Sequence, residues 1–265
     1  MKFNKIALSV AAGLALAASS ASAFTGSLND IVVGFTNSYT GSTNLEVDVG
    51  QLRQDVAPGS YGLGNISSLL VNTYGASWAS SSNLAFGAAG WTGSLLPANG
   101  DVKSTNYMTS AWTSTVGALG VQNSVASSGS SSTSSLNSAG GKITSLYNAM
   151  GDSSATVVAP NAVTIPTATA ASWDKSNTSS FLFGKFDASL TTQLVSFNNG
   201  SYAAADLYKF SPNATPEFLG TISLDTLGNL TYTVIPEPST YAMILGAATL
   251  GFAAIRRRKQ ANLLA

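Results

Sequence analysis

Apolar and polar positions near the start of the chain follow two patterns that are typical of β-strands. Residues 30–35 (Asp-Ile-Val-Val-Gly-Phe) are a short apolar run, and residues 44–49 (Asn-Leu-Glu-Val-Asp-Val) alternate. Because successive side chains of a strand point to opposite faces, Glu46 and Asp48 share the face opposite the apolar residues. The pattern predicts an antiparallel pair of strands, with both acids on the wet face of an edge strand, where charge discourages aggregation.

The clearest strand pattern lies in the last third of the chain before residue 235. Asn199-Gly200 is a strong two-residue hairpin turn, and residues 225–228 predict the turn of a further hairpin. Many short strands with regular turns predict a mainly β fold with an antiparallel β-sandwich-like body. Beyond the first pair, strands are predicted at 83–91, 105–116, 181–186, 193–197, 202–210, 218–224 and 229–234.

A helical period replaces the alternation in residues 65–74. Ile66, Leu69 and Leu70 share one face of a helix there, and Gly75 follows at the position of a C-cap. The pattern therefore predicts a short helix that ends at Gly75.

A second short helix is predicted at 142–150, where Ile143, Leu146 and Met150 recur at helical spacing. Residues 124–141, which precede it, are almost entirely Ser, Gly, Thr, Asn and Ala. Such a composition buries little apolar surface, so it predicts a flexible loop. The alternative is a platform for O-linked sugars.

The N-terminal segment 1–23 has the three parts of a secretory signal peptide. Lys2 and Lys5 form the basic region, residues 6–18 form the apolar region, and Ala21-Ser22-Ala23 is an A-x-A cleavage site. The pattern predicts a signal helix that the general secretion machinery recognises and signal peptidase removes, so that the mature chain starts at residue 24.

The C-terminal stretch 236–259 also has three parts. Pro236-Glu237-Pro238 is extended by its two prolines, residues 241–255 carry no charge, and residues 256–259 are all basic. Fifteen helical residues span about 22 Å, which is short against a hydrocarbon core of about 30 Å. The apolar segment is predicted to be a single transmembrane helix that holds the chain only transiently. Under the positive-inside rule its basic cluster stays cytoplasmic. That cluster consists of Arg256, Arg257, Arg258 and Lys259.

This tail resembles the sorting signal of PEP-CTERM proteins, because the Pro-Glu-Pro motif, the apolar helix and the basic cluster occur in that order at that family's spacing. The resemblance implies that exosortase, an integral-membrane transpeptidase-like enzyme, recognises and processes the tail. A removable hydrophobic tail follows the logic of a GPI signal. The implied protein is exported across the inner membrane of a bacterium, anchored transiently, and then placed at the cell surface or outside the cell.

The body, residues 24–235, also resembles a broad set of PEP-CTERM exported proteins. The similar pieces are 30–35, 46–50, 206–210, 218–225 and 228–231. That group has no assigned catalytic residues, so the resemblance implies no active site.

The composition excludes several classes of function for the body. The whole chain is formally neutral, but six basic and eleven acidic residues lie in 24–235, which gives the exported part a net charge of −5. An acidic body speaks against nucleic acid as a partner. The chain has no cysteine and no histidine, which removes disulfides, thiol chemistry, imidazole metal ligands and Ser-His-Asp catalysis.

Carboxylates are the remaining candidates for chemistry. Glu46 and Asp48 are about 7 Å apart along a strand, which falls within the range that a glycosidase needs across a cleft. Calcium is a second possibility, with Asp30 joining these two acids or with ligands from 225–229. Because acids on a wet strand face are ordinary, we expect no catalytic residues and no required cofactor.

Four tryptophans could form a platform on which sugars stack, although core positions are the simpler interpretation. They are Trp78, Trp91, Trp112 and Trp173. The sequence as a whole predicts a non-enzymatic exported cell-surface or extracellular-matrix protein, associated with exopolysaccharide in a biofilm. A carbohydrate-binding module is the alternative, followed by a carboxylate-dependent hydrolase.

Overall fold

A computed structural model describes the body and a few positions of the tail. All fold statements below refer to these residues. The described ranges are 30–37, 43–51, 57–81, 84–93, 101–111, 119–122, 132–149, 154–170, 172–178, 187–189, 202–234, 246–247, 249–252 and 256.

The body is mainly β, as predicted, and its strands join one antiparallel sheet. The order is β3-β11-β10-β9-β5-β4-β1-β2-β7-β6, and β8 pairs with β4 beside the end of β5. The prediction of a mainly β, antiparallel body is confirmed, but the described strands form one curled sheet, so the two packed sheets of the predicted sandwich are not found among them. The strands are β1 (Ile31–Asn37), β2 (Thr43–Asp48), β3 (Gly59–Asn65), β4 (Leu84–Trp91), β5 (Asn106–Ala111), β6 (Thr156–Ala159), β7 (Ala162–Pro166), β8 (Asp187–Ser189), β9 (Tyr202–Phe210), β10 (Glu217–Asp225) and β11 (Asn229–Val234).

The central strands are covered on both faces, which explains why they read as apolar runs. Six of the seven residues of β1 are buried, and eight of the nine residues of β9 are buried. A strand buried on both sides has no polar face to produce an alternation. One face of the sheet carries the larger apolar core, which includes Phe35, Leu45 and Phe86.

The sheet curls around this larger core. The contacts at the two ends of helix α1 (Ser67–Tyr74) show that the curl brings distant strands close together. Its start is tied to the β11 end of the sheet, because the Ile66 backbone N–H donates to the Gly228 carbonyl at 2.9 Å. Its last residue, Tyr74, reaches β1 and β2, where its hydroxyl donates to the Phe35 carbonyl at 2.8 Å. A short helix can join these distant strands only because the sheet bends back across the core between them. The predicted helix and its Gly75 cap are confirmed, since Gly75 has φ 90° and donates to Val71.

The outer face of the sheet is covered by two helices. The long α2 (Thr133–Ala149) buries Leu136, Ile143 and Leu146, and the short α3 (Trp173–Thr178) buries Trp173. The prediction of a loop over 124–141 is therefore wrong from residue 133 onward, and α2 begins nine residues before the predicted start at Lys142.

Most of the strands predicted from alternation are found within one or two residues of their predicted bounds. The exception is 105–116, of which 106–111 is described as strand. The hairpin of β10 and β11 pairs Ile222 with Tyr232 and Leu224 with Leu230. Strands β3, β6, β7 and β8 and helix α3 were not predicted. The segments predicted as strands at 181–186 and 193–197, and the turn at Asn199-Gly200, lie outside the described residues.

Candidate functional site

The last strand of the body runs directly into the tail. β11 lies inside the sheet between β10 and β3, and its final residue, Val234, pairs with Gly59. The sheet therefore ends with residue 234, two residues before the Pro-Glu-Pro motif starts at Pro236.

Asp225 builds the turn that leads into this last strand. Its Oδ1 accepts hydrogen bonds from the Leu227 N–H at 2.9 Å and the Asn229 N–H at 2.8 Å. Its Oδ2 accepts from the Asn229 side-chain amide at 2.8 Å. Both carboxylate oxygens thus serve the hairpin, so the oxygens suggested for calcium at 225–229 already have protein partners.

Only seven positions of the tail belong to the described residues, and all seven are helical: 246–247, 249–252 and 256. Leu250 and Phe252 are largely exposed, with 74% and 70% of their surface accessible. In the described part of the chain, no helix has the length and the apolar character needed to cross a membrane. The signal helix, the bounds of the predicted transmembrane helix 241–255 and most predicted site residues lie outside that part. These site residues are Ala21, Ala23, Pro236, Glu237, Pro238, Arg257, Arg258 and Lys259.

The structure overturns the predicted setting of Glu46 and Asp48. Strand β2 lies between β1 and β7, not at an edge, and its acidic face is covered by α3. Glu46 has no exposed surface and Asp48 has 8%. A glycosidase pair must line an open cleft, so these side chains do not form the hydrolase site that the sequence left as an alternative.

Burial determines the protonation of Glu46. Loss of solvation raises the pKa of its carboxyl from 4.5 to about 8, and the backbone N–H of Trp173 partly offsets this. Neither carboxyl oxygen has a well-aligned hydrogen-bond partner among the described residues. Glu46 is therefore a neutral acid at pH 7, held between the sheet and α3.

Asp48 forms a second carboxyl site, together with Asp30. Burial is the main cause that raises the pKa of Asp48 to about 6; the charge and hydrogen bond of Asp30 add to it, while the Gly50 N–H opposes it. That N–H donates to Asp48 Oδ1 at 2.6 Å. Among the described residues, no group of three or more acidic side chains is arranged to hold a metal ion. The acids that the sequence suggested for calcium are therefore not brought together as a metal site in the described part of the chain.

The three described tryptophans pack in or against the two cores. Trp78 and Trp173 are 3% and 0% exposed. Trp91 is half-buried, and its indole lies so close to Gly140 that a Cβ there would come within 2.3 Å of it. Trp112 lies outside the described residues. Packing therefore accounts for all three tryptophans that the structure describes.

Comparison with known protein families identifies the type of signal in the tail. The family described as the PEP-CTERM protein-sorting motif matches residues 234–259. The chain carries a PEP-CTERM sorting motif. The match begins at Val234, where β11 ends, and it ends at Lys259, the last residue of the basic cluster. No curated protein and no solved structure matches the chain.

The PEP-CTERM motif implies exosortase as a processing partner and a secreted protein with a membrane-proximal sorting tail. The match covers 26 residues near the C-terminal end of the chain. It therefore identifies a sorting signal and assigns no activity to the body.

Two buried tyrosine hydroxyls, which the sequence analysis missed, hold helices to the sheet. Tyr147 of α2 donates to the Asp30 carbonyl at 2.7 Å and accepts from the Trp91 N–H at 2.9 Å, which joins the ends of β1 and β4. Tyr74 of α1 makes the same bridge on the other face, between Phe35 and Leu45. Burial raises the pKa of both hydroxyls, so both keep their protons.

Removing the Tyr147 hydroxyl is expected to weaken the attachment of α2. Tyr147→Phe removes the hydroxyl partner of the partly buried Trp91 N–H and Asp30 carbonyl, which costs about 1–3 kcal/mol in the free energy of unfolding. Urea unfolding followed by fluorescence measures this loss. Tyr61→Phe is the control, because its hydroxyl hydrogen bond lies at the surface. Equal stabilities of the two variants would contradict the role of the buried bridge.

Proposed function

We propose that this chain is a non-enzymatic cell-surface or extracellular-matrix protein, whose body is delivered to the exterior by exosortase processing of its tail. The finer part of the proposal is association with exopolysaccharide in a biofilm. Signal peptidase and the secretion machinery act first, and the membrane holds the tail until exosortase acts.

One observation carries this proposal: the PEP-CTERM match starts at the residue where an interior strand of the sheet ends. Cleavage after Val234 would remove no strand from the sheet, because β11 and both of its neighbours lie before the cut. The body is thus built to remain folded after its tail is lost.

The side chains of the body support a structural role over catalysis. The acids suggested for a hydrolase are buried in β2, and the described tryptophans are packed in the cores or against α2. These placements do not favour a hydrolase. They also do not favour a carbohydrate-binding module in which sugars stack on exposed tryptophans. Association with exopolysaccharide would then use the exposed polar surface of the body.

Mass spectrometry of the mature protein, from strains with and without exosortase, tests the proposal. With the enzyme present, we expect a C-terminus close to the Pro-Glu-Pro motif and no peptide from 241–255. Without the enzyme, or with Pro236, Glu237 and Pro238 all changed to Ala, we expect this segment to remain. Pro216→Ala is the control, because Pro216-Glu217 repeats the Pro-Glu pair at the start of β10. The same C-terminus in both strains would overturn exosortase processing.

Deletion of the gene for this protein tests the proposed association with exopolysaccharide in a biofilm. Loss of biofilm or flocculation, restored by the full chain and not by the chain with the altered motif, is the expected result. An unchanged biofilm would remove the association with exopolysaccharide while leaving the sorting result intact.

A further inference from the structure

A lysine and an aspartate meet inside the body, at the junction of β5, β9 and β10. Lys209 Nζ lies 2.9 Å from Asp101 Oδ1. The side chain of Asp101 is 2% exposed and that of Lys209 is 14% exposed. Most ion pairs lie at the protein surface and are solvated. Burial of both partners, as here, carries a desolvation cost that a surface pair does not have.

Two further groups surround the pair. The Tyr107 hydroxyl donates a hydrogen bond to Asp101 Oδ2, the oxygen that is not in the ion pair. Glu217 Oε2 lies 3.8 Å from Lys209 Nζ. The strand register holds these groups together, because Lys209 is the direct partner of Tyr107 on β5 and of Glu217 on β10.

We propose that Lys209 and Asp101 form an intramolecular isopeptide bond, an amide between Nζ and the Asp101 carboxyl carbon. The reaction begins when the ammonium passes a proton to Oδ1, which leaves a neutral amine and a neutral acid. Nζ then attacks the carboxyl carbon, a second nitrogen proton moves to Oδ1, and that oxygen departs as water. An ammonium and a carboxylate together contain the atoms of one amide and one water, so no oxidant, activating nucleotide or other reactant is required.

The surroundings favour each step. The direct contact of Nζ with Oδ1 at 2.9 Å gives the first proton a path from the ammonium to the carboxylate. The fixed contact between nitrogen and carboxyl supplies the high effective concentration of an intramolecular reaction. The Tyr107 hydroxyl is placed to stabilise the negative charge that develops on Oδ2 as the nitrogen adds. Glu217 is the nearby acceptor that can carry the proton from nitrogen to the leaving oxygen.

The bond would also remove the desolvation cost of the buried ion pair. Conversion to an amide removes two buried charges, and it ties the segment before β5 to the middle strand of the β5-β9-β10 group. β9 leads through β10 and β11 to the sorting tail, so the cross-link would reinforce the part of the sheet that precedes this tail.

Peptide mapping of the full chain, purified from the exporting cells, tests the bond directly. Trypsin cuts after Lys and Arg, so separate side chains give peptides 54–103 and 186–209. A modified Lys209 is not cut, and we expect a branched peptide that joins 54–103 to a peptide starting at 186. Its mass should be lower than the sum of its parts by about 18 Da, the mass of one water.

Two variants and one control complete the experiment. Lys209→Arg keeps the positive charge but replaces the amine by a guanidinium that stays protonated, so the branched peptide should disappear. Asp101→Ala should remove it as well. Lys142→Arg changes an exposed lysine of α2 and should leave it unchanged. Peptides 54–103 and 186–209 at their sequence masses, without a branched species in the wild-type protein, would overturn the proposal.

Discussion

The stability of this protein is expected to fall as the pH rises from about 4.5 to 8, because of Glu46. Its pKa is about 8 in the folded chain and 4.5 as an ordinary glutamate. The folded state therefore holds a proton that the unfolded state releases, and each rise in pH within this window favours unfolding. The expected slope is on the order of 1 kcal/mol per pH unit, and the loss ends once the pH exceeds the folded pKa.

The composition makes this measurement unusually direct. The chain has no histidine, so no imidazole titrates between pH 6 and 8. Asp48 acts in the same direction, but its folded pKa of about 6 confines its effect to lower pH. Urea unfolding at several pH values, with tryptophan fluorescence as the signal, yields the free energy of unfolding across the window.

The variant Glu46→Gln isolates the contribution of Glu46 to the pH dependence of stability from that of the other titratable groups. The amide has nearly the shape of the protonated acid and does not ionise, so its stability should be flat between pH 6 and 8. At pH 8 the variant should be more stable than the wild type by on the order of 4 kcal/mol. Asp48→Asn is the paired control, and it should reduce the slope below pH 6 and leave the slope between pH 6 and 8 unchanged. A slope between pH 6 and 8 that survives in Glu46→Gln would contradict the assignment.

The elements that were predicted well are those whose signals are local. The β10–β11 hairpin follows from alternation on both strands and from a turn in which Asp225 bonds to residues two and four positions later. Gly75 ends α1 through contacts within one turn. Such features depend on a few neighbouring residues, and these are present in the sequence as it is read.

Composition concealed α2. Its first turns are rich in Ser, Gly and Thr, which suggested a loop, yet Leu136, Ala139, Ile143 and Leu146 lie on one buried face. Their spacing of three, four and three residues is a helical period that could have identified the whole helix. In this segment the few apolar positions decide the structure, because the sheet surface that they cover supplies the stabilising contacts.

The environment of the acids could not have been predicted from β2 alone. Its polar residues look like a solvent-facing row until α3 covers them from more than 120 positions further along the chain. The contacts are specific: the Asp174 N–H donates to Asn44 Oδ1 at 3.0 Å, and Thr36 donates to Asp174 at 3.4 Å. One local sign existed, since Gly34 interrupts an apolar strand, and a glycine within a strand often marks a close approach by another part of the chain.

That close approach leads to the second large effect, which is expected at Gly34 and Trp173. A Cβ at Gly34 would lie 1.9 Å from Trp173 Cδ2 and 2.0 Å from Cε3, so even Gly34→Ala requires the indole to move. Trp173 is fully buried and cannot shift without disturbing α3. Overpacking of this kind costs about 1–3 kcal/mol, and Trp173→Ala, which removes the indole, costs about 3–5 kcal/mol.

The two changes together should cost less than their sum, because the alanine at 34 enters space that the missing indole has vacated. In the Trp173→Ala background, we expect Gly34→Ala to be neutral or slightly stabilising, as a methyl group then fills part of a cavity. Urea unfolding of the four proteins of this double-mutant cycle gives the interaction energy. Gly62→Ala on β3 is the control, since a Cβ there meets nothing within 4 Å. If the costs at 34 and 173 simply add, the indole is not what excludes a side chain from Gly34, and the attachment of α3 over Glu46 must depend on other contacts.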